Sequence, residues 1–156
     1  MEQTLTDIQT WTCKNSKGNF DISQNKAEGN LHAAPVSDGK TGSSYPHWYT
    51  NGYSEGGAED KPKSLKSGLK QPLVKFGISE CDQAPVHHKN GNDKIDHYLL
   101  EFPVFKDGHD YKYDSKKPKE DPGAARVIYT YPHKTFCGIV AHTDGNKGDL
   151  KLCNKH

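Results

Sequence analysis

The run Asp96-His97-Tyr98-Leu99-Leu100-Glu101-Phe102 reads as a β-strand, because its aromatic and branched side chains suit a pleated, half-buried surface. Side chains alternate between the two faces of a strand. His97, Leu99 and Glu101 therefore share one face, and Tyr98, Leu100 and Phe102 share the other. The second set is wholly apolar and belongs in a core. The first puts a carboxylate where a core strand would carry Val or Ile, and a buried charge is costly without partners. Glu101 needs polar neighbours.

Three further strand-like runs supply them. Arg126-Val127-Ile128-Tyr129-Thr130-Tyr131 sets Arg126, Ile128 and Thr130 on one side and Val127, Tyr129 and Tyr131 on the other. Arg126 is the only arginine in the chain, which suggests a use for its planar, bidentate fork. Phe136-Cys137-Gly138-Ile139-Val140-Ala141-His142 ends in a histidine, and Tyr45-Pro46-His47-Trp48-Tyr49 places Tyr45, His47 and Tyr49 together.

A carboxylate, two histidines, an arginine and a tyrosine on one sheet suit phosphodiester transesterification. Glu101 would take the proton from a ribose 2′-hydroxyl, His142 would protonate the departing oxygen, and Arg126 with Tyr45 would hold the phosphate's developing charge. On spacing alone the plainer reading is the stronger: Glu101 and Arg126 form a structural ion pair and the histidines are surface residues.

Longer segments change that balance. Ser37 to Trp48 (SDGKTGSSYPHW), Asp96 to Pro103 (DHYLLEFP), Asp107 to Lys112 (DGHDYK), Asp114 to Gly123 (DSKKPKEDPG), Ala125 to Pro132 (ARVIYTYP) and Phe136 to His142 (FCGIVAH) closely resemble the fungal ribotoxins. The similarity runs from about Trp11 to the C-terminus with two interruptions. It implies a secreted ribonuclease that cuts one phosphodiester in the sarcin-ricin loop of large-subunit ribosomal RNA. The family's catalytic residues fall on Tyr45, His47, Glu101, Arg126 and His142, with Glu as general base and the last His as general acid. A family leucine near that histidine falls on Leu150.

The chain has 156 residues, one domain's worth, with 31% hydrophobic residues and a mean hydropathy of −0.96. So thin a core calls for staples. Four cysteines allow three pairings, and spacing does not choose among them. The resemblance implies Cys13 with Cys153 and Cys81 with Cys137, each closing a long loop worth roughly 4 kcal/mol in the chain-entropy model. Such staples imply an oxidising compartment. No C-x-x-C or H-x-x-x-H pair is present, so no zinc site is expected. No cofactor is implied either, since the substrate's own ribose supplies the nucleophile.

Met1 to Gln9 has neither a basic start nor an apolar stretch, so it does not read as a signal peptide. The expectation is a mature chain with an added Met and a flexible extension over residues 1–10. Lys14 to Asn19 reads as the turn of a short N-terminal hairpin between Trp11 and Ser23. The family's hairpin is longer and more basic, which touches ribosome selectivity. Asn25-Lys26-Ala27-Glu28 has the polar cap and acid of a helix start, with the end expected before Pro35.

Residues 51–76 show no period and read as a long surface loop. Its lysines (Lys61, Lys63, Lys66, Lys70 and Lys75) either contact RNA backbone or anionic phospholipid, or simply face water. Lys112, Lys116, Lys117 and Lys119 match the family loop that grips the target RNA, and Asn51 matches a family residue near the site. His97 is expected to make a structural hydrogen bond, as is His109. Trp48 and Phe136 are expected in the core. The net charge is +1, modest for a protein that approaches a polyanion, so affinity must come from local patches.

The expected fold is α+β: a twisted antiparallel sheet of about five strands, one short helix on its apolar face, the N-terminal hairpin and long loops, in the manner of microbial ribonucleases. The expected partner is ribosomal RNA, with anionic membranes met during cell entry, and the expected state is a monomer. Two alternatives differ in class: a less selective guanyl-preferring extracellular ribonuclease, and a non-catalytic RNA- or lipid-binding relative.

Overall fold

The computed structural model describes residues 9–36, 39–53, 65–85, 97–114 and 120–155. Within them the elements run β1 (Thr10–Cys13), β2 (Phe20–Ser23), α1 (Gln24–Ala33), β3 (His47–Trp48), α2 (Ser79–Asp82), β4 (Tyr98–Val104), β5 (Ala125–Tyr131), β6 (Phe136–Asp144), β7 (Lys147–Leu152) and β8 (Asn154–Lys155). Five strands form an antiparallel sheet in the order β3-β4-β5-β6-β7. The expected α+β class and five-stranded sheet are therefore found.

Alternation along the strands decides what each face of the sheet does. Tyr98, Leu100, Phe102 and Val104 of β4 pack with Val127 and Tyr129 of β5 and Ile139 and Ala141 of β6, and Ala27 and Leu31 of α1 close this core. Each large apolar side chain taken fully out of water contributes roughly 1.5–3 kcal/mol. On the opposite face Leu99, Ile128 and Val140 form a smaller apolar cluster with Tyr49, Val74, Cys81 and Cys137. Glu101 stands on that face, beside this cluster.

Several local readings shift. β4 begins at Tyr98, and Asp96 lies outside the described residues. His97 does make a structural bond, with Nε2 2.8 Å from the Ala84 carbonyl oxygen. Helix α1 starts at Gln24, not at Asn25, because Ser23 is its N-cap and accepts a hydrogen bond from the Lys26 backbone N–H. Gln24 is drawn into the helix by its own side chain, which accepts from Trp11 Nε1 and donates to Glu28. The helix ends at Ala33, ahead of Pro35 as expected. A second helix, α2, was not expected; its Asp82 carboxylate holds the backbone N–H groups of Phe76 and Gly77. The N-terminal hairpin also gains a partner, since β8 pairs with β1 to give a three-stranded sheet.

Both implied disulfides are present, Cys13–Cys153 and Cys81–Cys137, closing separations of 140 and 56 residues. The first ties β1 to the chain just after β7. The second ties α2 to β6, the strand that ends at the site. Loss of either pair as Cys→Ala should cost about 2–5 kcal/mol in urea unfolding. Loss of Cys81–Cys137 should also quicken amide exchange along β6, which it anchors, and parental exchange there would contradict that assignment.

Candidate active site

Strand β3 is only two residues long, yet its register is decisive: His47 sits directly opposite Glu101, and Trp48 opposite Leu100. The His47 Nε2 lies 3.4 Å from a Glu101 carboxylate oxygen. Its Nδ1 is 2.8 Å from the Ser44 carbonyl oxygen, an acceptor that requires an N–H there. Burial disfavours the imidazolium, but the Glu101 hydrogen bond and charge, with the Ser44 carbonyl, outweigh it and raise the His47 pKa above its ordinary value. The Tyr45 ring stacks on His47 with centroids 4.5 Å apart.

Arg126 is 3% exposed, and its guanidinium is fixed by the turn leading into β5. One terminal nitrogen donates to the carbonyls of Pro122, Gly123 and Ala125 at 2.9–3.1 Å. The other donates to the Tyr45 hydroxyl at 3.1 Å. The Nε–H makes no hydrogen bond, although it stands 3.5 Å from the second Glu101 oxygen. The edge formed by Nε and the second nitrogen is thus left only partly engaged and turned toward Glu101. That edge is the bidentate fork that fits a phosphate.

His142 lies near the end of β6, opposite Leu150 of β7. Its ring Nδ1 is 2.9 Å from the Gly148 carbonyl oxygen, so Nδ1 carries a proton and Nε2 is the nitrogen left for other partners. Gly148 has φ +86°, and a Cβ there would meet the Thr143 hydroxyl oxygen at 2.8 Å, so this carbonyl is offered to His142 only by a residue without a side chain. The backbone of His142 is held from the hairpin as well: Asn15 donates to its carbonyl at 2.7 Å and to that of Gly145 at 2.8 Å. Gly148 and Asn15 were not singled out from sequence. The pairing of β7 with β6 is the signal that would have found the first.

Glu101 and His142 line a cleft of about 410 Å³ together with Tyr49, Thr50, Asn51, Leu150 and Lys151, and His47, Arg126 and Tyr45 are joined to it through Glu101. Asn51 is buried, with φ +51°. Its side chain accepts from the Val74 N–H at 2.8 Å and donates to the Val74 carbonyl at 2.9 Å. Its amide thus clasps the 65–76 segment to the cleft wall. A second cavity, about 250 Å³, lies beyond Tyr49 against Leu99 and Tyr131, and Tyr45, His47, Glu101, Arg126 and His142 are not among its lining residues. The structure therefore brings the five sequence-selected residues and Leu150 into one site. Lys116, Lys117 and Lys119 lie outside the described residues, as do Lys61 and Lys63. Trp48 and Phe136 pack against the main core, as expected.

Residues 10–154 match the model of the ribonuclease family. The chain is 59% identical over 155 residues to ribonuclease alpha-sarcin of Aspergillus giganteus, covering 93% of this chain and 83% of that protein. It superposes on the crystal structure of the Aspergillus ribotoxin restrictocin with a TM-score of 0.82 and 61% identity, over 93% of this chain and 99% of the other. Restrictocin in complex with a 29-mer sarcin/ricin domain RNA analogue matches with a TM-score of 0.80 at 60% identity, over 93% of this chain and 99% of that one.

Proposed function

Because this chain belongs to the fungal ribotoxins, a family of ribonucleases, we propose that it cuts a single phosphodiester of the sarcin-ricin loop in large-subunit ribosomal RNA and so stops translation. It is an RNA endonuclease, and restrictocin has been seen bound to an RNA of that kind. The observation that carries the reading is Glu101, whose two carboxylate oxygens face His47 and Arg126 in a cleft walled by His142.

The chemistry follows from those positions. Glu101 removes the proton from the ribose 2′-hydroxyl, and the 2′-oxygen attacks the adjacent phosphorus. His142 gives a proton to the departing 5′-oxygen as its bond to phosphorus breaks, leaving a 2′,3′-cyclic phosphate. The partly engaged fork of Arg126 and the Tyr45 hydroxyl meet the charge that builds on the non-bridging oxygens. His47, favoured as an imidazolium, sets a positive charge beside the Glu101 carboxylate. Leu150 packs beside His142 and limits how its ring can turn. Asn51 shapes the cleft wall where the base next to the scissile bond would sit. The whole chain, 1–156, serves as one ribonuclease domain. Two disulfides fit secretion, with action in the cytosol of target cells as a monomer after passage across an anionic membrane.

A sarcin-ricin hairpin RNA tests the proposal directly. One cut, ending in a 2′,3′-cyclic phosphate, is expected; cuts at many guanines would favour the less selective ribonuclease that the low net charge of +1 suggests. Replacing Lys116, Lys117 and Lys119 together by Ala should weaken cleavage of intact ribosomes and flatten its dependence on salt, since each phosphate-facing cation releases a counterion. Hydrolysis of a dinucleotide should change little. Equal losses on both substrates would show that this loop supports the site and not recognition.

A further inference from the structure

Between β4 and β5 the chain makes a long excursion, and His109 is one of the groups that join its two stems. His109 Nδ1 lies 2.6 Å from Asp107 Oδ1, and Nε2 lies 2.6 Å from Glu120 Oε2. A neutral imidazole has a single N–H, so one of these carboxylates would then face a lone pair; only the imidazolium donates to both. The Phe105 ring stacks on the imidazole at 4.1 Å and 11°, a face that attracts a cation. The other Glu120 oxygen, Oε1, accepts the backbone N–H of Lys112 at 2.8 Å. The Glu120 carbonyl accepts the Tyr111 hydroxyl at 3.0 Å, and the Tyr111 ring meets that of Tyr45 edge-on. The cluster thus joins the two described stems, 105–112 and 120, of the segment whose lysines are assigned to RNA, and reaches Tyr45 through Tyr111.

We propose that His109, as an imidazolium shared by Asp107 and Glu120, is a positioning residue for RNA recognition: it locks Glu120 onto Lys112 and so holds the stems of the lysine loop in register with the active site. The inference rests on the reading that this loop meets the RNA. Among the described residues, Lys26 of α1 lies against Gly108 and near Asp107, and Asp110 is held by Asn30. Hydrogen bonds to Glu120 and then Asp107 raise the His109 pKa. The His109 backbone N–H, followed by its ring, lowers that of Asp107. Burial pushes the Glu120 carboxyl up, but the Lys112 N–H and His109 outweigh it and lower its pKa. The sign follows for each partner. The contribution of His109 is complete below its ordinary value and is lost as pH rises through its raised one, whereas that of the carboxylates is lost as pH falls through their depressed ones. The clamp is closed between those limits.

The test is a ratio: the kcat/KM on intact ribosomes divided by that on a dinucleotide, measured across pH. In the parent protein the ratio should fall as pH rises through the His109 titration, which imidazole NMR shifts locate independently. His109→Gln, which cannot donate to both carboxylates, should show a low ratio that no longer falls there. The drop should be about tenfold, the scale of one lost charge-assisted hydrogen bond. Its dinucleotide kcat should match the parent's, and exchange of the Lys112 amide should quicken. A parental ratio and parental Lys112 exchange in His109→Gln, alongside a loss in the triple lysine variant, would overturn the positioning role. No loss in the triple lysine variant would instead overturn the loop's RNA contact, and the inference with it.

Discussion

His142→Gln should reduce cleavage of natural RNA to near background, while sparing a substrate whose leaving group departs without a proton. The reason is positional. The Gly148 carbonyl occupies the His142 Nδ1–H, leaving Nε2 as the ring nitrogen that hands over the proton. Glutamine has no proton to lose at such an oxygen, so the general-acid contribution, roughly 10²–10⁴-fold, disappears. Glu101→Gln removes the opposite member and should cost a similar factor on both kinds of substrate, since the 2′-hydroxyl must be deprotonated in each. In the parent, Glu101 must be ionised and His142 protonated at once, so rate should trace a bell against pH. In Glu101→Gln the rising limb should vanish. His47 would remain as a poorer base on the same face. Parental rates for both variants on both substrates would remove the acid–base assignment.

Arg126→Lys should bind RNA yet lose most of its rate, by roughly 10²–10³-fold, the scale of removing one preorganised donor from a developing charge. The guanidinium does two jobs that an ammonium cannot combine. One nitrogen satisfies three carbonyls of the turn at 122–125, which orients the remaining edge toward Glu101 and the phosphate. A lysine would satisfy some of those carbonyls or reach the cleft. A modest loss of stability should accompany the kinetic one, because buried acceptors left without donors cost about 1–3 kcal/mol each. If the variant cuts ribosomes at the parent's rate, Arg126 is only the structural partner of Glu101.

What could be read from sequence was whatever strand alternation carries. Glu101 against Tyr98, Leu100 and Phe102 assigned the two faces of β4, and the same logic put Arg126 beside Ile128 and Thr130. The same reading grouped Tyr45 with His47 and put His142 at the end of its strand; the resemblance then gave the five their roles, and the structure joins His47 and Arg126 to Glu101 and Tyr45 to Arg126. Side-chain events were not legible. Ser23 took the cap from Asn25 because Gln24 is recruited by Trp11 and Glu28. α2 is a single turn, too short for any period to reveal. β8 has two exposed residues, and it is a strand only because the Cys13–Cys153 bridge brings it to β1. Asn51 was expected among the RNA-binding residues, and that its amide also holds the Val74 backbone was not legible. The carbonyl cradle of Arg126 and the two-carboxylate seat of His109 depend on turns whose geometry no spacing encodes.

The most direct measurement treats intact ribosomes with the protein and with Glu101→Gln at equal concentration and separates the ribosomal RNA on a denaturing gel. One discrete fragment from the large-subunit RNA, released by the parent and absent or slower by roughly 10²-fold or more with Glu101→Gln, is the result this account predicts. A smear of fragments from both subunits, or the same single fragment at the same rate from Glu101→Gln, would contradict it.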